Sequence, residues 1–421
     1  MGYINMKKFN KDKYLKKLRF KKYKRYLYIG IPCILVLLIG IYFTYSKFSV
    51  SKDTGVVRTT VGDFISGDAV IGAYIDGEYS KTIPGKNDGY IVDKIVCDND
   101  ASASWDNDAW GIVLTNLTKK TKCNVYFVVK PVPVVEKVTT AMNSNPSMFA
   151  SDDPDNNVRY IGKDPSNYVY FNCSDYNNPT ADTCELWRII GVFNNITKGD
   201  GSNENLVKII RVDSLGKYPW DNKFMGGVIG YGSNDWSTAT LQQDLNSGTY
   251  YTTTLKNDTT RNAIEEVVWN LGGTDDDETS TASMFYAAER GTTVYSGRPT
   301  TWTGKIGLMY SSDYGYATSG GTTKDRAACL AKELYNWDSS DFNDCRGNDY
   351  LYTSSLRLYQ WTLSPSSADA YGVFRVRENS RVDRIEVYTS HSVRPALFLK
   401  SNIQVDKGTG AKSDPYRLKM Q

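Results

Sequence analysis

The sequence predicts an α+β chain: a C-terminal α+β domain preceded by a small all-β domain and one N-terminal transmembrane helix. Three observations carry this. A basic segment runs directly into a charge-free apolar stretch, 27–45. Short apolar runs separated by turn residues fill 66–130 with no helical stretch among them. Beyond that point, helical patterns alternate with strand-like runs, the pattern of an α+β domain.

Residues 1–26 form the basic segment. Positions 1–25 hold eleven Lys/Arg against one acid, Asp12. Removing these from the totals of 50 basic and 47 acidic residues leaves 39 basic and 46 acidic further on. The bulk is therefore acidic, which excludes nucleic acid as a partner. The stretch "LYIGIPCILVLLIGIYFTY" spans about 28 Å as a helix, close to the hydrocarbon core. Tyr26, Tyr28, Tyr42 and Tyr45 flank it, as interfacial aromatics do. Positive charge stays inside, so the C-terminal bulk is expected outside the cell membrane, anchored by a single pass. A cleavable signal peptide is the rival; it would have a shorter apolar region and an A-x-A-like site, which "YSKFSVSK" lacks.

Residues 46–65 read as a polar stalk and 66–130 as the all-β module, with "AVIGAYI", "GYIVDKIVC", "WGIVLTN" and "CNVYFVV" as strands. "KPVPVV" opens a linker, 131–156, that contains one short helix, "EKVTTAMNS". The last domain, 157–421, has helical patterns at 236–245 with an Asp235 cap, at 260–269 and at 326–334. Its strand runs are 186–193, 206–212 and 394–399, and 270–305 reads as a long loop. Apart from Cys33, the cysteines fall as near pairs: Cys97 with Cys123, Cys173 with Cys184, Cys329 with Cys345. Six such residues outside the cytoplasm indicate three disulfides, although fifteen pairings are formally possible.

Several phrases of the last domain occur together and in order: "NVRYIGKDPSNYVYFN", "CELWRIIGVF", "KIIRVDSLGKYPWD", "TTWTGKIGLMYSSDYGYATSGG", "YQWTLSP" and "SVRPALFLKSNIQV". Over 157–418 they resemble a domain family of unknown function in bacterial surface proteins, with the C-type-lectin-like fold shared by formylglycine-generating enzymes. The β module ahead resembles one often placed before such domains. The resemblance implies a recognition protein without catalysis. It also implies that Val393, Arg394 and Pro395 mark a central strand. Some domains of this fold are diversified by retroelements in a block before the final strand, where this chain carries its arginines. A divergent enzyme on the same scaffold needs late active-site cysteines, and only Cys329 and Cys345 are available. A structural envelope protein is the third alternative. The calcium-dependent sugar triplet of true C-type lectins is absent.

The candidate site is the late hairpin, "VFRVRENSRVDRIEVY". Alternation places Phe374, Val376, Ile385 and Val387 inward. It leaves Arg375, Arg377, Arg384, Glu386 and Tyr388 as one outward face, with His391, Trp361 and Trp302 nearby. Arg and Tyr are the residue types enriched at binding hot spots, so an extracellular protein or glycan is the expected ligand. No catalytic residue is assigned, since His391 and Ser392 are adjacent and point to opposite faces. No cofactor or metal is expected. The acidic loops 98–108 and 274–280 lack EF-hand spacing, no C-x-x-C occurs, and no P-loop or G-x-G-x-x-G follows a strand.

Overall fold

A computed structural model describes residues 58–59, 69–99, 101–115, 120–223, 231–276, 278–321, 323–342, 344–352 and 359–420. The expected membrane helix, the basic segment before it and most of the stalk lie outside these residues. Among the described residues no helix is long and apolar enough to cross a membrane. Strands hold 36% and helices 18%. The expected α+β, C-type-lectin-like architecture is therefore corrected: the described chain is mostly β. It divides into two compact units, Met1–Val129 and Lys130–Gln421.

The first unit contains β1 (Arg58–Thr59), β2 (Ala69–Ile75), β3 (Glu78–Ser80), β4 (Tyr90–Cys97), β5 (Ser102–Asp106), β6 (Gly111–Thr115) and β7 (Thr121–Val129). One sheet has the order β3-β2-β7-β4, the other β1-β6-β5. Along β7 the period of two is plain: Thr121, Cys123, Val125 and Phe127 are buried and the residues between them are not. Trp110 closes this core and donates from Nε1 to the Pro84 carbonyl at 2.6 Å. Cys97 and Cys123 sit directly opposite on β4 and β7 and are disulfide-bonded.

The second unit begins earlier than the sequence implies. β8 (Val132–Pro133) pairs with β23 (Gln404–Lys407), and β23 pairs with β24 (Arg417–Lys419). Helix α1 (Val134–Ser144) buries Val134 and Val138 in this unit's core. The stretch expected as a linker is thus its first strand and helix, because two valines one turn apart give α1 a face to bury.

The larger sheet of this unit has the order β17-β22-β13-β12-β10-β9, with β11 also on β12. These strands are β9 (Phe149–Ala150), β10 (Val158–Tyr160), β11 (Tyr168–Phe171), β12 (Glu185–Thr197), β13 (Asn203–Arg211), β17 (Ile306–Gly307) and β22 (Ala396–Leu399). β22 lies inside the sheet and holds the last four residues of the 394–399 run, but Val393, Arg394 and Pro395, expected to mark a central strand, lie between β21 and β22 and in neither. A second sheet, β14-β21-β18-β19-β20, contains β14 (Lys217–Pro219), β18 (Gln360–Pro365), β19 (Gly372–Val376), β20 (Val382–Glu386) and β21 (Ser390–Ser392).

The helices are short: α2 (Thr240–Asn246), α3 (Asp258–Asn262), α4 (Ala282–Glu289), α5 (Ser311–Tyr316) and α6 (Arg326–Leu330). The helix expected at 260–269 stops after α3. Val267 and Trp269 instead alternate into the core on β15 (Val267–Asn270), which pairs with β16 (Thr301–Gly304). The run expected as a loop, 270–305, contains α4 and β16. Cys173–Cys184 and Cys329–Cys345 complete the three disulfides.

Candidate functional site

The hairpin forms where expected, but its register differs by one residue from the alternation assumed above. Arg375 faces Asp383, Phe374 faces Arg384, and Gly372 faces Glu386. Directly opposed residues share a face of the sheet. Arg384 and Glu386 therefore fall on the Phe374 side, and the single charged outer face does not exist. A one-residue slip in a period-two element exchanges its faces.

Nor is the hairpin free. Arg375 is 9% exposed and His391 7%. Arg375 Nε donates to Asp383 Oδ1 at 2.8 Å, and its Nη1 lies 2.9 Å from His391 Nε2. The guanidinium sits over the Tyr359 ring at 4.3 Å. Arg377 shares Asp383, through Oδ2 at 3.2 Å. Half-buried Arg384 pairs with Asp369 at 2.9 Å. The turn is clamped as well: Ser380, at φ 77°, receives the Tyr314 hydroxyl on its carbonyl, Asn379 donates to Asp338, and Arg381 stacks on Tyr335.

Trp361 is fully buried, 4.6 Å from the His391 ring, and donates from Nε1 to the Tyr218 carbonyl at 2.9 Å. Burial first, then Arg375 and Lys217, hold His391 down to about 3, so its imidazole is neutral. Trp302 belongs to a different stack, edge-on to Trp236, which in turn packs on Trp220. The structure thus gathers Arg375, Trp361 and His391 into a buried support, with half-buried Arg377 at its edge, and leaves Trp302 apart. Glu386 is half-buried, and Tyr388 is exposed.

What faces outward is aromatic. Among the described residues of the second unit, the large exposed apolar side chains are Tyr218, Tyr231, Met284, Tyr371 and Tyr388. The four tyrosines lie on chain segments that meet at Val387. Its carbonyl accepts from Trp220 and Asp221, and its amide donates to the Tyr371 carbonyl. Tyr388 follows it directly and meets Tyr231 edge-on at 5.4 Å. Tyr218, two residues before Trp220, is paired with His391 across β14 and β21.

Two buried polar residues, Asp221 and Asn234, anchor the described backbone next to these rings. Asp221 accepts from the Ser233 amide at 2.7 Å and the Thr240 amide at 2.9 Å. Asn234 donates to the carbonyls of Ser366, Asp369 and Gly372, and takes Arg298 Nε at 3.0 Å. Each backbone group so satisfied removes a freedom the loop would otherwise have.

Beside Tyr218 lies a groove of about 470 Å³. Leu215, Tyr218, Pro219 and Asn222 line one wall; Thr240, Leu241 and Asp244 of α2, with Thr249, Tyr250 and Thr254, line the other. Gly216, at φ 127°, lets the chain turn under the Tyr218 ring, which a Cβ there would meet at 3.2 Å. Sequence reasoning passed over these residues, although "KYPWD" set an aromatic, a proline and a carboxylate side by side.

A second polar cluster is closed on itself. Lys208 Nζ lies 2.6 Å from Asp313 Oδ2, and Arg159 bridges Asp313 at 2.8 Å and Asp153 at 2.6 Å, all four buried. Burial pushes the Asp313 carboxyl upward, but Lys208 and Arg159 outweigh it and hold the group well below the carboxylate range. Nearby, buried Glu289 accepts from Ser312 and Ser364, and burial raises its carboxyl. The cysteines that thiol chemistry would need, Cys329 and Cys345, are bonded to each other. No group of three or more His, Cys, Asp or Glu that could hold a metal ion occurs among the described residues.

No family model, curated protein or solved structure matches the chain. The resemblance of 157–418 to bacterial surface domains gains nothing from those comparisons.

Proposed function

We propose that this is a recognition protein working outside the cytoplasm, binding a protein or glycan ligand at the tyrosine-bearing surface around Val387. One observation carries the reading. Tyr231 and Tyr388 are exposed and meet edge-on, with exposed Tyr218 and Tyr371 on adjoining segments, while Asp221 and Asn234 behind them are buried and hydrogen-bonded. Tyrosine presents a large rigid ring with a polar tip and loses little rotamer freedom on contact, which makes it a favoured anchor at interfaces. The hairpin expected to touch the ligand supplies Tyr388 and, through Arg375, Trp361 and His391, the rigid backing. Three disulfides support an oxidising location.

The test is to probe glycan and protein arrays with the purified chain, then repeat with Tyr231→Ser/Tyr388→Ser. The double variant should unfold at the same temperature and lose its ligand by about tenfold or more. Undiminished binding, or no ligand on either array, would overturn the reading.

A further inference from the structure

We infer that the groove beside Tyr218 is a subsite for a neutral saccharide residue, an inference that rests on the recognition reading and names its ligand class. The first argument is the chemistry of the lining. Leu215, Leu241, Pro219 and the rings of Tyr218 and Tyr250 give apolar contact, while Asn222, Asp244, Thr240, Thr249 and Thr254 give hydrogen-bonding groups. A sugar ring has the same division: a C–H face that packs on aromatic and aliphatic carbon, and an edge of hydroxyls that donate and accept. Small-ligand sites generally combine an apolar lining with a few placed polar groups.

The second argument is charge. Among the described residues no Lys or Arg lines the groove, and its one carboxylate is Asp244. A phosphate, sulfate or sialic carboxylate would leave water without a cation to meet it, beside a carboxylate of its own sign, at a substantial desolvation cost. A neutral polyol meets no such penalty. The Asp244 carboxylate is also oriented: Oδ1 already accepts the Thr249 amide at 3.0 Å, which fixes the group for a hydroxyl donor at its remaining lone pairs.

The third argument is size and rigidity. A groove of about 470 Å³ lies in the range of small-molecule sites, 300–1,000 Å³ as a rule of thumb at about that order. A protein partner needs roughly 800 Å² of contact surface. The walls are pinned from behind. Trp361 Nε1 holds the Tyr218 carbonyl, and the Asp221 carboxylate receives the first amide of α2 at Thr240. Preformed walls lower the ordering cost of binding.

Saturation-transfer NMR on the full chain tests this, using neutral oligosaccharides ending in hexose or N-acetylhexosamine beside sialylated and sulfated counterparts. Neutral sugars should receive saturation, and Tyr218→Ser should weaken them by about tenfold. Asn222→Ala, at an exposed position with little folding risk, should weaken them too. Met284→Ser, at an exposed position outside the groove lining, should leave them unchanged. The subsite is overturned if no neutral sugar binds at millimolar concentration, if anionic sugars bind better, or if binding survives both groove variants. If a macromolecular ligand depends on Tyr388 but ignores both groove variants, the subsite fails and the recognition reading stands. Sugar binding with no macromolecular dependence on Tyr231 or Tyr388 has the opposite meaning.

Discussion

Arg375 Nε lies 2.8 Å from Asp383 Oδ1, straight across the β19–β20 ladder, with both side chains 11% exposed. This pair turns a hairpin that reads as a charged outer face into an internal brace. Asp383 also takes Arg377, and Arg375 also takes His391, so neither charge is left uncompensated out of water.

Arg375→Ser should therefore destabilise the second unit by about 3–5 kcal/mol, the usual cost of leaving one member of a buried pair behind. Arg384→Ser should cost about 0–1 kcal/mol, since Arg384 and Asp369 are about one-third exposed and screened by water. Urea midpoints of the two single variants decide the point. Equal losses would mean that burial does not separate the two pairs.

Stability should also fall on the acid side because of His391. Its folded value, about 3, is below the ordinary 6.5, so the unfolded chain binds the proton more readily. Its contribution is complete above pH 6.5 and is lost as pH falls toward 3. Asp349 acts in the opposite sense. Burial pushes it up to about 7 from 3.8, so its contribution is complete below 3.8 and is lost as pH rises through about 7. Glu289, also raised by burial, has the sign of Asp349. Stability measured across about pH 4 to pH 8 should show His391→Gln flattening the acid limb and Asp349→Asn flattening the limb toward neutrality.

Removing Cys173–Cys184 by a double Ala substitution should cost about 3 kcal/mol or somewhat less, since it closes only a short loop of the unfolded chain. The two cysteines are 11 residues apart, and Cys173 and Cys184 are both buried beside β11 and β12. Urea midpoints of the wild type and the double variant, followed by circular dichroism without reductant so that the other two bridges stay closed, check it: equal midpoints would show that the bridge contributes nothing.

The legible part of this molecule is what local pattern controls. Cysteine proximity gave the three bridges, and turn residues and apolar runs gave the hairpin, the small β module and the last four residues of the 394–399 strand. What could not be read depends on the second layer of packing. Alternation assumes that one face of a strand meets water. On β19 every residue from Gly372 to Val376 is buried, so the pattern carried no information about which arginine would be solvated. The helix expected at 260–269 failed for a related reason: Val267 and Trp269 have a partner strand in β16, which local propensity cannot see. The groove draws residues from three segments between 215 and 254 that no spacing rule joins. Lys208 did leave a signal, a cation inside the apolar run "LVKII", and a charge within an otherwise buried strand requires a partner.

That partner makes the last prediction. Lys208 is wholly buried, and its ammonium is surrounded by the rings of Tyr310, Trp269, Phe193 and Phe398 at 4.4, 5.2, 5.5 and 5.7 Å. Asp313 is shared between Lys208 and Arg159, whereas Arg159 also has Asp153. Lys208→Met keeps the volume but leaves one carboxylate to a single cation. It should cost about 3–5 kcal/mol. Adding Asp313→Asn removes the surplus negative charge, and Arg159 remains paired with Asp153. The double variant should therefore be more stable than Lys208→Met alone, and a double-mutant cycle on urea midpoints should return a coupling of about 0.5–3 kcal/mol. Additive losses would show that Lys208 is held by its aromatic surroundings and not by Asp313. Because Lys208 and Arg159 hold the Asp313 carboxyl well below the carboxylate range, the coupling should stay constant through the pH window in which His391 and Asp349 titrate, which separates this network from theirs.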